Sequence, residues 1–222
     1  MKPMSTMFLL VALASTFATV VSAAVVVDYD ITNANANISN VVGIASEDAN
    51  VTPTTMQSFG ALGGPFDFLG SFCYLGWPVG GALDPAKYYQ FEITPDVGFG
   101  VTYASIDFAA ASGGNEVELI SWEIHASTDG FAGSDIPLGG NTFPANSTWH
   151  AFSLDISALG QQAGTITFRY YMYDDTPDGF TGLGQAPFFG DQGRNFTVNG
   201  TVEELVVQTA VVSWGRLKAE RR

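Results

Sequence analysis

The chain has 222 residues, of which 46% are hydrophobic and only 14% charged, with 25 glycines and 10 prolines. That length suits one domain with short appendages, and so apolar a composition excludes intrinsic disorder. The 22 acidic against 8 basic residues leave a formal net charge of −14, which excludes a nucleic-acid binder, because phosphate recognition rests on clusters of Lys and Arg.

The N-terminus comes first. Met1-Lys2-Pro3 carries one positive charge, Met7 to Val21 is apolar apart from Ser and Thr, and Val21-Ser22-Ala23 supplies small residues ahead of the first acid, Asp28. Basic, apolar and small-residue regions in that order predict a secretory signal peptide over residues 1–23, with cleavage at Ala23. The expected location is therefore secreted, extracellular or at the cell surface. Phe and Tyr number 17 and 8, ample bulk for a core. The single Cys73 cannot form an intramolecular disulfide and reads as a packing residue.

Between Ala49 and Ala86 the chain is Gly-rich and aromatic without a clean period, which predicts irregular strands and loops over the edge of a sheet. Period two begins at Tyr89, Phe91 and Ile93. Next, Ala104, Ile106 and Phe108 fall on one predicted face, with Tyr103, Ser105 and Asp107 on the other. In NEVELISWEIHAS the alternation on Val117 and Leu119 shifts phase to Ile120, Trp122 and Ile124, as a β-bulge would require. Thr128-Asp129-Gly130 follows as a turn. A short turn is expected near Ser157 to Gln162. Ile166, Phe168, Tyr170 and Met172 then share one face, opposite Thr167, Arg169, Tyr171 and Tyr173. Asp174 to Gln192 is a long insertion, and loops of that length are often functional. Phe196, Val198 and Val202 make the last alternation.

Half-buried strands separated by Gly, Pro, Asp and Ser turns predict an all-β protein, a single antiparallel jelly-roll-like β-sandwich. The predicted organisation is a signal peptide at 1–23, a sandwich domain at 24–203 and a C-terminal tail at 204–222. In that tail, Leu205 to Gly215 would reach only about 17 Å as a helix, against the 30 Å or so of a bilayer core. No stable membrane span is expected once the signal is cleaved.

The series YYQFEITP, VTYASIDFAAASG, SWEIHASTDGFA, FSLDIS, GTITFRYYMYD and RNFTVNGTV, over roughly residues 86 to 203, resembles the exported β-sandwich proteins with PEP-CTERM sorting tails in biofilm-forming bacteria. That resemblance implies a sandwich and export, and no catalytic residue. The chain departs from the pattern at Arg194-Asn195-Phe196, which lacks Ile-Asp, and in a tail without Pro-Glu-Pro.

Candidate chemistry is sparse. HExxH and G-x-S-x-G are absent, and His125, His150 and Cys73 are too few for a zinc site. Glu123 and His125 share a strand face, as a general base and its orienting acid would, but they read better as part of an exposed polar face. Glu116 and Glu118 likewise read as a solvated acidic face rather than a glycosidase pair. Asp174, Asp175 and Asp178, ahead of Gly179, give an oxygen-ligand calcium site on a loop as the one cofactor hypothesis; otherwise none is expected. Trp77, Phe180, Phe188 and Phe189 are the candidate ligand-binding aromatics, since flat rings on a sandwich stack against sugar rings. Five Asn-x-Ser/Thr sites, at Asn37, Asn50, Asn146, Asn195 and Asn199, are glycan acceptors only in a eukaryotic secretory pathway.

The sequence therefore predicts an exported, non-enzymatic protein of the cell surface or extracellular matrix. Its expected partners are extracellular polysaccharide or other matrix proteins. The alternatives are a carbohydrate-binding module and a cryptic glycoside hydrolase.

Overall fold

Alternation of period two is realised as two facing antiparallel sheets. The computed structural model of the protein describes residues 23–31, 41–60, 72–73, 76–78, 80–112, 119–145, 148–174, 187–189 and 195–206. The predicted signal peptide before Ala23 and the tail beyond Val206 lie outside these described residues.

The first sheet contains β1 (Ala24–Tyr29), β3 (Ile44–Glu47), β6 (Phe72–Cys73), β8 (Phe99–Ser112), β11 (His150–Asp155), β12 (Gln161–Gln162), β14 (Pro187–Phe189) and β15 (Phe196–Glu204). Its strand order is β3-β1-β15-β8-β14-β6, with β11 and β12 also on β8. The second sheet contains β2 (Val41–Val42), β4 (Val51–Pro53), β5 (Met56–Phe59), β7 (Tyr88–Pro95), β9 (Leu119–Ser127), β10 (Ile136–Pro144) and β13 (Ile166–Asp174). It runs β10-β9-β13-β7-β5-β2, with β4 also on β7. The fold is an antiparallel β-sandwich. A single turn of 3-10 helix, Ser157–Leu159, sits where the short turn is expected.

Inward positions of the two sheets meet in an aromatic core. Phe91 stacks on Phe168 of the adjoining strand at 5.0 Å and meets Phe196 of the other sheet edge-on at 5.5 Å. Phe108 crosses the same gap to Trp122 at 5.0 Å and Tyr170 at 5.4 Å. Such pairs add about 0.5–1.5 kcal/mol each beyond the apolar area they bury. The Tyr29 hydroxyl, at the heart of this layer, donates to the Thr54 carbonyl at 3.0 Å. Burial pushes its phenol well above the usual value.

Two expectations about faces need correction. Tyr103, expected outward, is buried with Val101 on the inner face. The register against β15 shifts between its partners Asn199 and Gly200, so Ala104 is the extra residue of a bulge, and the inward set changes phase there. On β9 the inward residues Ile120, Trp122, Ile124 and Ala126 pair with β13 without any slip. The register shift beside this strand lies on β10, between Pro137 and Gly139; residues 113–118 lie outside the described set.

The candidate functional site

The outer face of the second sheet carries the odd-numbered residues of β9 and β13 and the even-numbered residues of β7. Pairing assembles them into rows across the strands. One row runs Gly140, Glu123, Tyr171, Tyr88 and Phe59, and the next runs Pro137, His125, Arg169, Gln90 and Gln57.

At the β10 end of these rows lies an open trough of about 310 Å³. Its floor is backbone, because β10 contributes Gly139 and Gly140. A Cβ on Gly140 would lie 2.2 Å from the Trp122 carbonyl oxygen, and Gly139 has a φ of +146°, so glycine is needed at both positions. Above the floor stand Ser121 and Thr142, whose hydroxyls bond each other at 2.9 Å. Asn141 and Pro137 line the β10 side, and Glu123 and Tyr173 form the opposite wall. The Tyr173 hydroxyl donates to Glu123 Oε1 at 2.7 Å. Among the described residues, no Lys or Arg lines this trough.

Behind Glu123 the His125 ring is held between two carboxylates, Nε2 to Glu123 Oε2 at 3.1 Å and Nδ1 to Asp135 Oδ1 at 2.7 Å. Both ring nitrogens of His125 thus face carboxylate oxygens. The contact of Glu123 with His125 expected from their spacing is present, and Asp135 joins it as a second partner. Tyr171 packs edge-on against the ring at 5.1 Å. Burial raises the Tyr171 phenol, and the Arg169 side chain beside it partly offsets the shift.

Farther from the trough stand Phe59, Tyr88, Arg169 and Phe131. Phe59 stacks on Tyr88 at 5.0 Å, and the Arg169 guanidinium lies 4.0 Å from the Tyr88 ring and 4.0 Å from the Phe131 ring. Its Nε donates to Gln90 at 2.9 Å, so cation–π and hydrogen-bond contacts fix the arginine. Phe131 reaches this position with a left-handed backbone, φ +66°, a strained conformation for a bulky residue. The loop after β9 enforces it. Ser127 Oγ accepts from the Phe131 amide at 2.8 Å and the Asp129 amide at 3.2 Å, and donates to Asp129 Oδ1 at 2.8 Å. Asp129 Oδ1 in turn accepts from the Ala132 and Ser134 amides. These bonds, led by the Ser127 hydroxyl, hold the Asp129 carboxyl below its usual range.

The residues singled out from sequence are scattered. Trp77 is 6% exposed and packs edge-on against Tyr89 at 5.0 Å, so it belongs to the core and offers no open ring to a ligand. Phe188 and Phe189 lie on β14, where Phe188 pairs with Cys73 and Ala111; Phe180 lies outside the described residues. Asp174 is buried at the end of β13, its backbone bonded to Pro78 and Gly81, while Asp175 and Asp178 are outside the described set. Among the described residues no three His, Cys, Asp or Glu side chains are grouped to hold a metal. Asn195 and Asn199 donate their side-chain amides to Asp28 and Asp107 across the outer face of the first sheet. No helix among the described residues is long and apolar enough to cross a membrane.

Sequence reasoning reached Glu123, His125 and the outward tyrosines of β13, but not the trough. One signal was available: Gly139-Gly140 inside DIPLGGNTFP marks a strand that another backbone approaches closely.

No protein-family model matches the chain, and no curated protein does. Among solved structures, a CBM4 carbohydrate-binding module aligns over 68% of this chain and 94% of its own, at 12% identity and a TM-score of 0.37. TmCBM61 in complex with beta-1,4-galactotriose aligns over 71% and 90%, at 9% identity and a TM-score of 0.29. The C-terminal domain of a chitobiase from Bacteroides fragilis aligns over 55% and 68%, at 22% identity and a TM-score of 0.27.

Proposed function

We propose that this protein is an exported, non-catalytic sandwich that binds polysaccharide at the cell surface or in an extracellular matrix. The trough between β9 and β10 would be its binding site. The observation that carries this reading is the trough itself: a glycine floor with Glu123, Tyr173, Ser121 and Thr142 on the same outer face around it. Sugar sites need that combination of a flat surface for a ring and several polar groups to fix its hydroxyls. Export is supported by the N-terminal sequence pattern. The absence of catalysis is supported by His125, whose nitrogens both face carboxylates.

A glycan array probed with the full chain and with Tyr173→Ala tests the binding. We expect the wild type to retain a polysaccharide or its oligomers and the variant to lose at least tenfold in affinity, with folding unchanged by circular dichroism. Retention by both proteins alike would place binding elsewhere. Release of reducing ends from the bound polymer, abolished in Glu123→Gln, would overturn the non-catalytic reading.

A further inference from the structure

We infer that Arg169 and the rings around it form a second binding site, for a free carboxylate on a uronate-bearing polysaccharide; the inference rests on the carbohydrate reading above. Phe131, Arg169, Tyr88 and Phe59 touch in succession across the outer face of the second sheet. Arg169, Tyr88 and Phe131 are half-buried and Phe59 is exposed. The group therefore reaches solvent, while two rings shield part of the guanidinium from it. Phe131 takes its place with a left-handed backbone, φ +66°, which the Ser127 hydroxyl holds through the Phe131 amide. Strain of that kind in a bulky residue persists where the surrounding structure fixes the side chain in one position. Here that position is against a cation.

The cation is fixed but not neutralised. Of the five N–H donors of a guanidinium, Nε–H goes to Gln90 Oε1, and the Tyr171 hydroxyl accounts for at most one more. Among the described residues no Asp or Glu oxygen lies within ion-pair distance of Arg169. The carboxylates of this face and its loop have partners of their own. His125, the cross-strand neighbour of Arg169 on β9, meets both Glu123 and Asp135. Glu92 accepts from the Thr167 hydroxyl, and Asp129 from the Ser127 hydroxyl. A planar fork with N–H groups to spare matches a carboxylate in two parallel bonds, whereas a sugar hydroxyl leaves the charge unmatched. The net charge of −14 repels a polyanion at long range. Salt confines that repulsion to about 8 Å at physiological ionic strength, and the contact pair forms inside it. The site is also within reach of the trough. From β10 across β9 to β13 is two strand spacings, about 10 Å, so one oligosaccharide laid across the strands can touch both.

Titration calorimetry of the full chain with oligogalacturonate and oligomannuronate, each as the free acid and as its methyl ester, tests this. Esterification removes the charge and keeps the sugar chain. We expect at least one free acid to bind about tenfold or more tighter than its ester. Arg169→Lys keeps the charge and loses the fork, and should bring acid and ester to within about threefold of each other. Should that variant fail to fold, the wild type decides by NMR: the Arg169 Nε–H resonance should shift with the free acid and stay in place with the ester. Equal binding of acid and ester, or binding of neutral glycans alone on the array, would overturn the carboxylate site and leave the carbohydrate reading standing. An acid preference that survives in Arg169→Lys, or that leaves the Nε–H resonance unmoved, would remove Arg169 from the site. No binding of any oligomer, with a blank glycan array, would sink both.

Discussion

Replacing Phe168 by Ala tests the sandwich at its centre. The ring is fully buried, stacks on Phe91 at 5.0 Å with only 15° between planes, and meets Tyr103 of the opposite sheet edge-on at 5.5 Å. Removing it loses the transfer free energy of the ring and leaves a hole between rigid sheets that collapse only in part, about 3–5 kcal/mol together. A domain of this size shifts its Tm by roughly 2–4 °C per kcal/mol, so the melt should fall by roughly 6–20 °C. Urea unfolding followed by tryptophan fluorescence should show a lower midpoint at unchanged slope. Thr165 is the control: it is solvent-exposed, its hydroxyl meets Thr94 at 2.8 Å, and its Ala variant should lose under about 1 kcal/mol. If Phe168→Ala lost no more than Thr165→Ala, the assignment of inner and outer faces on β13 would be wrong.

Two further outcomes follow from the trough and its neighbouring loop. Gly140→Ala places a Cβ against the Trp122 carbonyl and 2.9 Å from Glu123 Cγ; we expect about 1–3 kcal/mol of destabilisation with loss of binding. Gly164→Ala, with open space around its Cβ, should be near neutral, and equal Tm values for the two variants would refute the β9–β10 register. The Asp129 carboxyl titrates lower when folded than when unfolded, so the loop stabilisation it brings is fully present above about pH 3.9 and lost as pH falls through the lower folded value. Phe131 and Ser134 amide resonances should shift together with acid in the wild type and not in Asp129→Asn; invariance in the wild type would dismiss the Ser127–Asp129 cage.

Most of the sandwich was legible because its strands alternate cleanly. Ile166 to Met172 and Tyr89 to Ile93 read correctly, since an antiparallel strand with one face on the core has only one way to sort its side chains. Tyr103 was misread because a bulge is a property of the pair: Ala104 is extra only with respect to β15. Glu123 and His125 were legible as neighbours on one face, whereas Asp135 was not, because a loop of eight residues brings it back to the ring. The trough escaped for a related reason. Gly139, Gly140 and Asn141 have no alternation to announce a strand, and their role appears only when β10 is laid beside β9. Trp77 looked like a binding ring in a Gly-rich stretch, yet a large apolar side chain is worth more against Tyr89 than in water.

Among the described residues β10 is one edge of the second sheet, and its sequence has a consequence for crowding. β10 begins its pairing beside Pro137, kinks at a register shift, continues through two glycines and ends at Pro144. Prolines carry no amide hydrogen, and a kinked strand offers no straight ladder of donors and acceptors. A second molecule pressed against this edge finds a short, kinked template, poorly suited to adding a strand. Any assembly built from this side of the molecule is better served by side chains or a bridging polymer, and the backbone stays with its own fold.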